Sequence, residues 1–389
     1  MDITIHPRKL SGTVKAISSK SQAHRLLICA AFADKPTTLV CPETNRDIEA
    51  TVDCLCALGC DIQRLADGYR IIPIENIPNE AVLNCCESGS TLRFMLPIAG
   101  ALGIDATFQM AGRLPQRPLS PLWEEMERMG CTLTRPKEDT IRCCGRLQPG
   151  NYAIDGSVSS QFITGLLFAL SLIDGESSLD VTGKVESKPY IEMTKKAMAL
   201  FSAPYYRSPG TVNVEGDWSN GAFWLAAKSL GSELFLTNLD DNSPQGDRAV
   251  GDILPQLESG APKISAADSP DLVPILSVVA AANNGAVFTD IQRLRIKESD
   301  RVASTIAMIE ALGGSAAATE DSLQVFPCRF IGGTVNACND HRIAMSAAIA
   351  SIISEESVTI LGADCVNKSY PGFWEEFTRL GGNYELNLR

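Results

Sequence analysis

The sequence predicts an α/β fold of two similar domains, each made of three repeated units with buried helices inside and sheets outside. Three observations predict it. An amphipathic helix ending near Leu-Gly and leading into a short strand recurs six times. A second helix type, Ala-rich and apolar nearly all round, alternates with it. Short strand-like runs separate the two, and three modules fall on each side of residue 216. A supersecondary unit recurring at a fixed period is the signature of stacked repeats. Strand–helix alternation also fits a doubly wound sheet, but no GxGxxG follows a strand here.

In chain order the amphipathic copies are DIEATVDCLCALGCDIQRL, PLWEEMERMGCTLTRP, YIEMTKKAMALFSAPYYRS, GDILPQLESGAPKISA, RVASTIAMIEALGGSAAAT and GFWEEFTRLGGNYELNL. Gly59, Gly130, Gly313 and Gly381 stand where a helix ends in a left-handed residue. The third and fourth copies lack that glycine at the same place. The apolar copies are SQAHRLLICAAFA, STLRFMLPIAGALG, SSQFITGLLFALSLI, SNGAFWLAAKSLG, DLVPILSVVAAAN and DHRIAMSAAIASII. A helix apolar on every face is a buried one. Each opens on Ser, Asp, Asn or Gly, residues that cap helix starts. GTVKAI, TTLV, ATFQM, SSLDVTG, TVNVEG, SELFLTN, AVFTDI and SVTILG read as strands.

The chain has 389 residues, 45% of them hydrophobic, so a large core and two domains are expected. A net charge of −12 argues against nucleic acid or an anionic membrane as the partner. The start, MDITIHPRKL, has no apolar signal region, and no run approaches the roughly 18 apolar residues of a membrane span. A cytoplasmic location is expected. The 13 cysteines lie mostly in apolar contexts, as reduced, packed thiols do. Cys54, Cys56 and Cys60 fall on one helical pattern, but without paired CxxC motifs, and with three histidines in the chain, no zinc site is expected.

Every helix start leaves unpaired N–H groups and a partial positive charge, which favour anions. Eight cations sit at or beside such starts: Lys20, Arg25, Arg93, Arg117, Lys297, Arg301, Arg342 and Lys368. In an acidic protein this pattern points to a cleft for a multiply anionic small ligand. Arg supplies planar forks for carboxylate or phosphate and Lys supplies point charges. No GxxxxGK[ST] occurs, so it is not a P-loop. Carboxylates lie among the cations: Asp271, Glu298, Asp300 and Asp340. Asp271 and Asp340 also suit simple N-capping. Glu298 lies between Lys297 and Arg301, which favour its ionised form, able to accept a proton from a substrate hydroxyl.

SSKSQAHR, ESGSTLR, LPQRP, SVSSQF, ESKPYIEM, RIKESDR, NDHRIAM and NKSYPGF, in this order from residue 18 to 374, resemble the enolpyruvyl transferases. The resemblance implies two domains of three βαβαββ units each, with residues 1–12 and 217–389 forming one and 13–216 the other. It implies transfer of the enolpyruvyl group of phosphoenolpyruvate to the 5-hydroxyl of shikimate 3-phosphate, with release of phosphate, on the route to the aromatic amino acids. Neither metal nor organic cofactor is implied, and a monomer is expected. Carried over by motif, Lys20, Ser21, Arg25, Ser159, Ser160, Gln161, Ser187 and Lys297 contact shikimate 3-phosphate, with Asp271 on the ring hydroxyls and Tyr190 nearby. Gly89, Arg117, Arg301, Arg342 and Lys368 hold phosphoenolpyruvate, sharing Lys20 and Gln161. The first set lies largely in domain 13–216, the second largely in the discontinuous one. Asp271, Glu298 and Lys20 are the implied proton carriers, supported by His341, while Arg93 is structural.

The chain departs from that family in being short between residues 200 and 265. Glu87 stands where many members have Asn, and Phe94 where many have Pro, both on the side where glyphosate competes with phosphoenolpyruvate. A UDP-N-acetylglucosamine enolpyruvyl transferase is the neighbouring reading, but RLPQR lacks the Cys or Asp expected there and SSQ at Ser159 to Gln161 is foreign to it. A non-catalytic anion binder is the other, and would gain little from carboxylates beside its ligand.

Overall fold

The structure is a computed structural model that describes residues 1–387. The chain divides into two compact units, Met1–Ile17 with Gly216 onward, and Ser18–Glu215. The sequence reading placed the first crossing near residue 13. Strand β2 (Ser11–Lys15), following β1 (Asp2–His6), pairs in parallel with Glu233–Thr237, so residues to Ile17 stay with the discontinuous unit.

The continuous unit runs α1 (Lys20–Ala31), β3 (Thr37–Val40), α2 (Arg46–Ala57), β4 (Asp61–Leu65), β5 (Gly68–Ile72), β6 (Glu80–Asn84), α3 (Gly89–Leu102), β7 (Asp105–Gln109), α4 (Leu122–Arg128), β8 (Cys131–Lys137), β9 (Thr140–Gly145), β10 (Asn151–Asp155), α5 (Ser160–Leu170), β11 (Ser178–Thr182), α6 (Lys188–Leu200) and β12 (Thr211–Asn213). The remainder of the other unit runs α7 (Trp218–Ser229), β13 (Glu233–Thr237), α8 (Val250–Ser259), β14 (Lys263–Ser265), α9 (Val273–Ala282), β15 (Ala286–Thr289), α10 (Arg301–Ala311), β16 (Ala316–Ala318), β17 (Ser322–Val325), β18 (Gly333–Asn336), α11 (His341–Ser351), β19 (Val358–Leu361), α12 (Phe373–Arg379) and β20 (Asn383–Asn387).

Four sheets share one plan, a parallel pair extended by two antiparallel strands: β12-β3-β5-β4, β6-β7-β9-β8, β14-β15-β17-β16 and β18-β19-β1-β20. Two sheets stop at the parallel pair, β10-β11 and β2-β13, one in each unit. The missing strands would follow α6 and α8, inside the stretch the sequence shows as short. They also follow the two helices without the expected glycine. At the other four helix ends Gly59, Gly130, Gly313 and Gly381 take φ of +99, +112, +91 and +99, as the Leu-Gly pattern predicts. After α6 it is Ser202 that goes left-handed, φ +54, while Gly260 after α8 stays extended at φ −176.

Each unit has its own core, and the apolar helices run through it. α11 is buried at every residue, and α3 at all but Ser90 and Leu102. Burial of Leu92, Phe94, Met95, Leu96 and Ile98 along α3, about 1.5–3 kcal/mol each, outweighs the interior Pro97 and Gly100. Helices α3 and α5 touch backbone to backbone at Gly165, where an added Cβ would lie 2.2 Å from the Arg93 carbonyl oxygen. No helix among the described residues is long and apolar enough to cross a membrane. The cysteines are free thiols, mostly buried.

Candidate active site

In the continuous unit the predicted residues lie at the starts of α1, α3, α5 and α6 and on the turn before α4. Lys20 opens α1 and pairs with Asp47 of α2, Nζ to Oδ2 2.8 Å. Ser21, beside it, is half-buried. Arg25 follows one turn later, only 3% exposed. Its Nε donates to Thr194 Oγ1 at 2.8 Å, Nη1 to the Ser21 carbonyl at 2.6 Å and Nη2 to the Tyr190 carbonyl at 3.0 Å, and it lies over the Phe94 ring. Burial pulls the guanidinium down to about 10. Arg25 thus ties α1 to α6, with one Nη1–H beyond these bonds.

Gly89 is the first residue of α3, capped by Ser88, whose hydroxyl accepts the Thr91 N–H at 3.2 Å. Its backbone is ordinary helix, so glycine is not needed there for φ. The reason is space. A Cβ would fall 2.7 Å from Nη1 of Arg117, which closes the 3-10 turn Leu114–Gln116. Arg93 links α3 to α5 and to the turn that carries Arg117. Nη1 donates to Gln161 Oε1 at 2.7 Å, Nη2 to the Pro118 carbonyl at 2.9 Å, and the group lies over Phe162. Gln161 in turn donates to Ser90 Oγ at 2.9 Å. The amide is therefore oriented by α3, and the Arg117 turn is held by the same guanidinium. Ser159 caps α5 by accepting the Gln161 N–H at 3.3 Å, with the buried Ser160 between them. Ser187 precedes α6 in a left-handed conformation, φ +53, and is 2% exposed. A serine in that region is strained by about 1–2 kcal/mol.

In the discontinuous unit the site is a compact ionic cluster around Arg301, the first residue of α10, 1% exposed. Nη1 meets Asp271 at 2.6 Å, Nη2 meets Glu298 at 2.6 Å and Nε meets Asp340 at 2.8 Å. Burial opposes its charge, but Asp340, Glu298 and Asp271 outweigh burial and hold its pKa well above the usual value. Asp340 is fully buried, and burial would raise its pKa, yet Arg301 holds it below the usual carboxylate range. It caps α11 through the Arg342 N–H at 3.0 Å and accepts Ser299 Oγ at 2.9 Å. Asp271 does not cap a helix. It lies in the 3-10 turn Pro270–Leu272, within reach of Arg301, Arg342 Nη2 at 3.1 Å and Lys297 Nζ at 3.4 Å. Burial pushes Lys297 down to about 8, with Asp271 opposing the shift. Lys368 donates to the Asn339 carbonyl at 2.9 Å, and His341 is buried at the start of α11.

Sequence reasoning missed Asp247 and Ser219. Arg342 Nη2 donates to Ser219 Oγ at 2.6 Å, and Ser219 Oγ donates to Asp247 Oδ2 at 2.5 Å. Burial, then Asp271, pushes the Asp247 carboxyl up to about 6. The signal was PQGDRAV, another acid beside a cation at a helix start. Asp47, the partner of Lys20, stood in the same kind of context in TNRDIEA.

A family model described as EPSP synthase (3-phosphoshikimate 1-carboxyvinyltransferase) matches residues 5–377. A 3-phosphoshikimate 1-carboxyvinyltransferase of Clostridium kluyveri is 36% identical over 421 aligned positions, covering 98% of both chains. One of Clostridium perfringens is 38% identical over 417 positions, again 98% of each. Both alignments are longer than the 389 residues present here, so these relatives carry segments that this chain lacks. The solved EPSP synthase of Acinetobacter baumannii shares the fold at TM-score 0.79 and 21% identity over the full length of both chains. The enolpyruvyl transferase NikO of Streptomyces tendae does so at 0.74 and 17%, over 99% of this chain and 98% of that one. With a family model spanning nearly its whole length and full-length relatives above one-third identity, the chain belongs to the EPSP synthase family of enolpyruvyl transferases.

Proposed function

We propose that this chain transfers the enolpyruvyl group of phosphoenolpyruvate to the 5-hydroxyl of shikimate 3-phosphate and releases phosphate. The observation that carries this reading is the Arg301 cluster, in which three carboxylates share one buried guanidinium beside Lys297 and Arg342. A protein that only held anions would be weakened by such carboxylates. One that moves protons between a hydroxyl and a carbon needs them.

In this reading the starts of α1, α5 and α6 present Lys20, Ser21, Arg25, Ser159, Ser160, Gln161 and Ser187 to shikimate 3-phosphate. Lys297 adds charge, and Asp271 accepts from the ring hydroxyls. Phosphoenolpyruvate is held by the Gly89 amide, Arg117, Arg301, Arg342 and Lys368. Asp271 takes the proton of the 5-hydroxyl as its oxygen bonds to C2 of phosphoenolpyruvate. Lys20, or Glu298 once it has itself been protonated, delivers a proton to the methylene carbon, giving a tetrahedral phosphate adduct. Elimination removes a proton from the new methyl group, expels phosphate and restores the double bond. Fixed cations around the phosphates and carboxylate stabilise the charge that develops. Anionic substrates also give Arg301 and Arg342 new partners, which frees Asp271 and Glu298 to exchange protons.

The test is phosphate release on mixing purified protein with phosphoenolpyruvate and shikimate 3-phosphate, with UDP-N-acetylglucosamine as the parallel acceptor. Release with the sugar nucleotide alone overturns the reading. Glu298→Gln and Asp271→Asn keep shape and remove a proton-carrying carboxyl group, so kcat falls by about 10²–10⁴ while substrate affinity changes less. Near-normal kcat in both variants removes them from the proton path.

A further inference from the structure

His24 of α1 lies within the first site motif, yet nothing above assigns it work. It is fully buried, as are Thr51, Thr91 and Ser88. These four side chains form one hydrogen-bonded line through the core of the continuous unit. His24 Nδ1 meets Thr51 Oγ1 at 2.7 Å, Thr51 Oγ1 meets Thr91 Oγ1 at 2.7 Å, and Thr91 Oγ1 donates to Ser88 Oγ at 2.7 Å. The line crosses from α1 through α2 to α3 and ends on the residue that caps α3, next to Gly89.

Counting protons gives the line a direction. Each hydroxyl has one hydrogen. Thr91 has a nearer acceptor in Ser88 than in the Asp47 carbonyl at 3.4 Å, so its hydrogen points to Ser88. Thr91 then accepts from Thr51, and Thr51 accepts from His24. The imidazole must therefore carry its proton on Nδ1. Nε2 is buried without a hydrogen-bond partner, and the imidazole ring stands perpendicular to that of Phe94. The reversed line would make that atom an N–H donor with nothing to bond, and orphaned buried N–H groups are rarer than orphaned acceptors. Burial, with Lys20 and Arg25 adding to it, keeps the ring neutral, which a single-proton tautomer requires.

We propose that His24 is a positioning residue for the phosphoenolpyruvate end of the site: as the Nδ1–H tautomer it drives a one-way hydroxyl chain that fixes the Ser88 cap and so aims the Gly89 amide. The kinetic part rests on the reading of Gly89 as an anion donor, while the tautomer does not. ¹⁵N NMR of the labelled full-length protein, with the His24 signal assigned by its loss in His24→Asn, is expected to show a neutral ring protonated on Nδ1. A ring protonated on Nε2, or on both nitrogens near neutral pH, overturns the proposal whatever the enzyme does. In kinetics, His24→Leu is expected to raise KM for phosphoenolpyruvate about three- to tenfold, the scale of one buried hydrogen bond, with KM for shikimate 3-phosphate held within about twofold. His24→Asn, whose side-chain amide can still donate to Thr51, restores KM to near wild type. Thr51→Val breaks the line in its middle and should reproduce the same split if His24→Leu does not fold. A parallel rise in both KM values, no rise, or no rescue by Asn overturns the positioning role. If the wild type releases no phosphate at all, the reaction reading has failed instead. Amide exchange at Gly89 then decides the inference: faster in Thr51→Val supports it, unchanged overturns it.

Discussion

Gly89 shows how a residue's role changes once its surroundings are known. From sequence alone it is a glycine at a helix start, suited to an anion or to an unusual backbone angle. Its backbone is plain helix, and the space a side chain would take belongs to Arg117. Gly89→Ala is therefore expected to raise KM for phosphoenolpyruvate and weaken glyphosate by displacing that guanidinium, with little effect on shikimate 3-phosphate. Thermal unfolding should be unchanged, because Ala suits a helix start at least as well as Gly; a lower Tm with an unaltered KM would refute this. Lys297 gives a second prediction. Its pKa of about 8 means that near pH 8 half the molecules lack the charge, and a bound phosphate raises the pKa again. Shikimate 3-phosphate binding should take up a proton around pH 8 and weaken as pH rises above it. Calorimetry in buffers of different ionisation enthalpy measures that uptake, and a buffer-independent heat would exclude it. Such cations were legible because they share short motifs. The carboxylates around Arg301 were legible only as candidates, since Asp271 and Asp340 lie 30 and 39 residues from it in sequence and no local pattern records who pairs with whom.

At the scale of the element, the Leu-Gly pattern read from sequence is a statement about φ, and four helix ends obey it. Where it fails, the chain still needs the left-handed turn after α6 and makes Ser202 adopt it. Replacing Ser202 with Gly should stabilise the protein by about 1 kcal/mol, the usual cost of a Cβ in that region. Gly59→Ala should destabilise it by more, since a Cβ there also meets the Asn76 carbonyl oxygen at 2.7 Å. Urea unfolding of both variants gives the two signs, and equal signs would show the argument wrong. Helix starts were read less evenly. Ser88, Ser159, Asp217 and Asp340 cap as their types suggest. α9 instead begins from the 3-10 turn that carries Asp271, and Ser19 makes no cap bond. An N-cap residue in sequence records a tendency to end an extended run; the bond itself depends on the backbone that follows.

For the whole molecule, the repeats were legible because apolar helices and punctuating glycines recur, whereas the exact crossing points depend on pairing between strands far apart in sequence, as β2 with β13. The continuous unit has its own core, and its ends are adjacent: the Ser19 N–H donates to the Glu215 carbonyl at 2.8 Å. Residues 18–215 expressed alone should therefore fold with a cooperative thermal transition and fixed near-ultraviolet dichroism. A gradual melt without near-ultraviolet signal would show that this core does not suffice. The two shortened sheets carry a different lesson. At the equivalent place in each unit the chain goes directly from a surface helix to the next strand, and β11 and β13 keep only their parallel partners. The predicted site residues sit at the starts of both helix types, Lys20, Gly89 and Arg342 on the buried helices and Ser187 and Arg301 at the second helix of a repeat, and none lies on an antiparallel strand. The antiparallel extension is thus an accessory, present four times and dispensable twice. The junctions after α6 and α8 are natural ports, where a loop, a tag or a reporter can be spliced in without interrupting a segment that carries a proposed site residue.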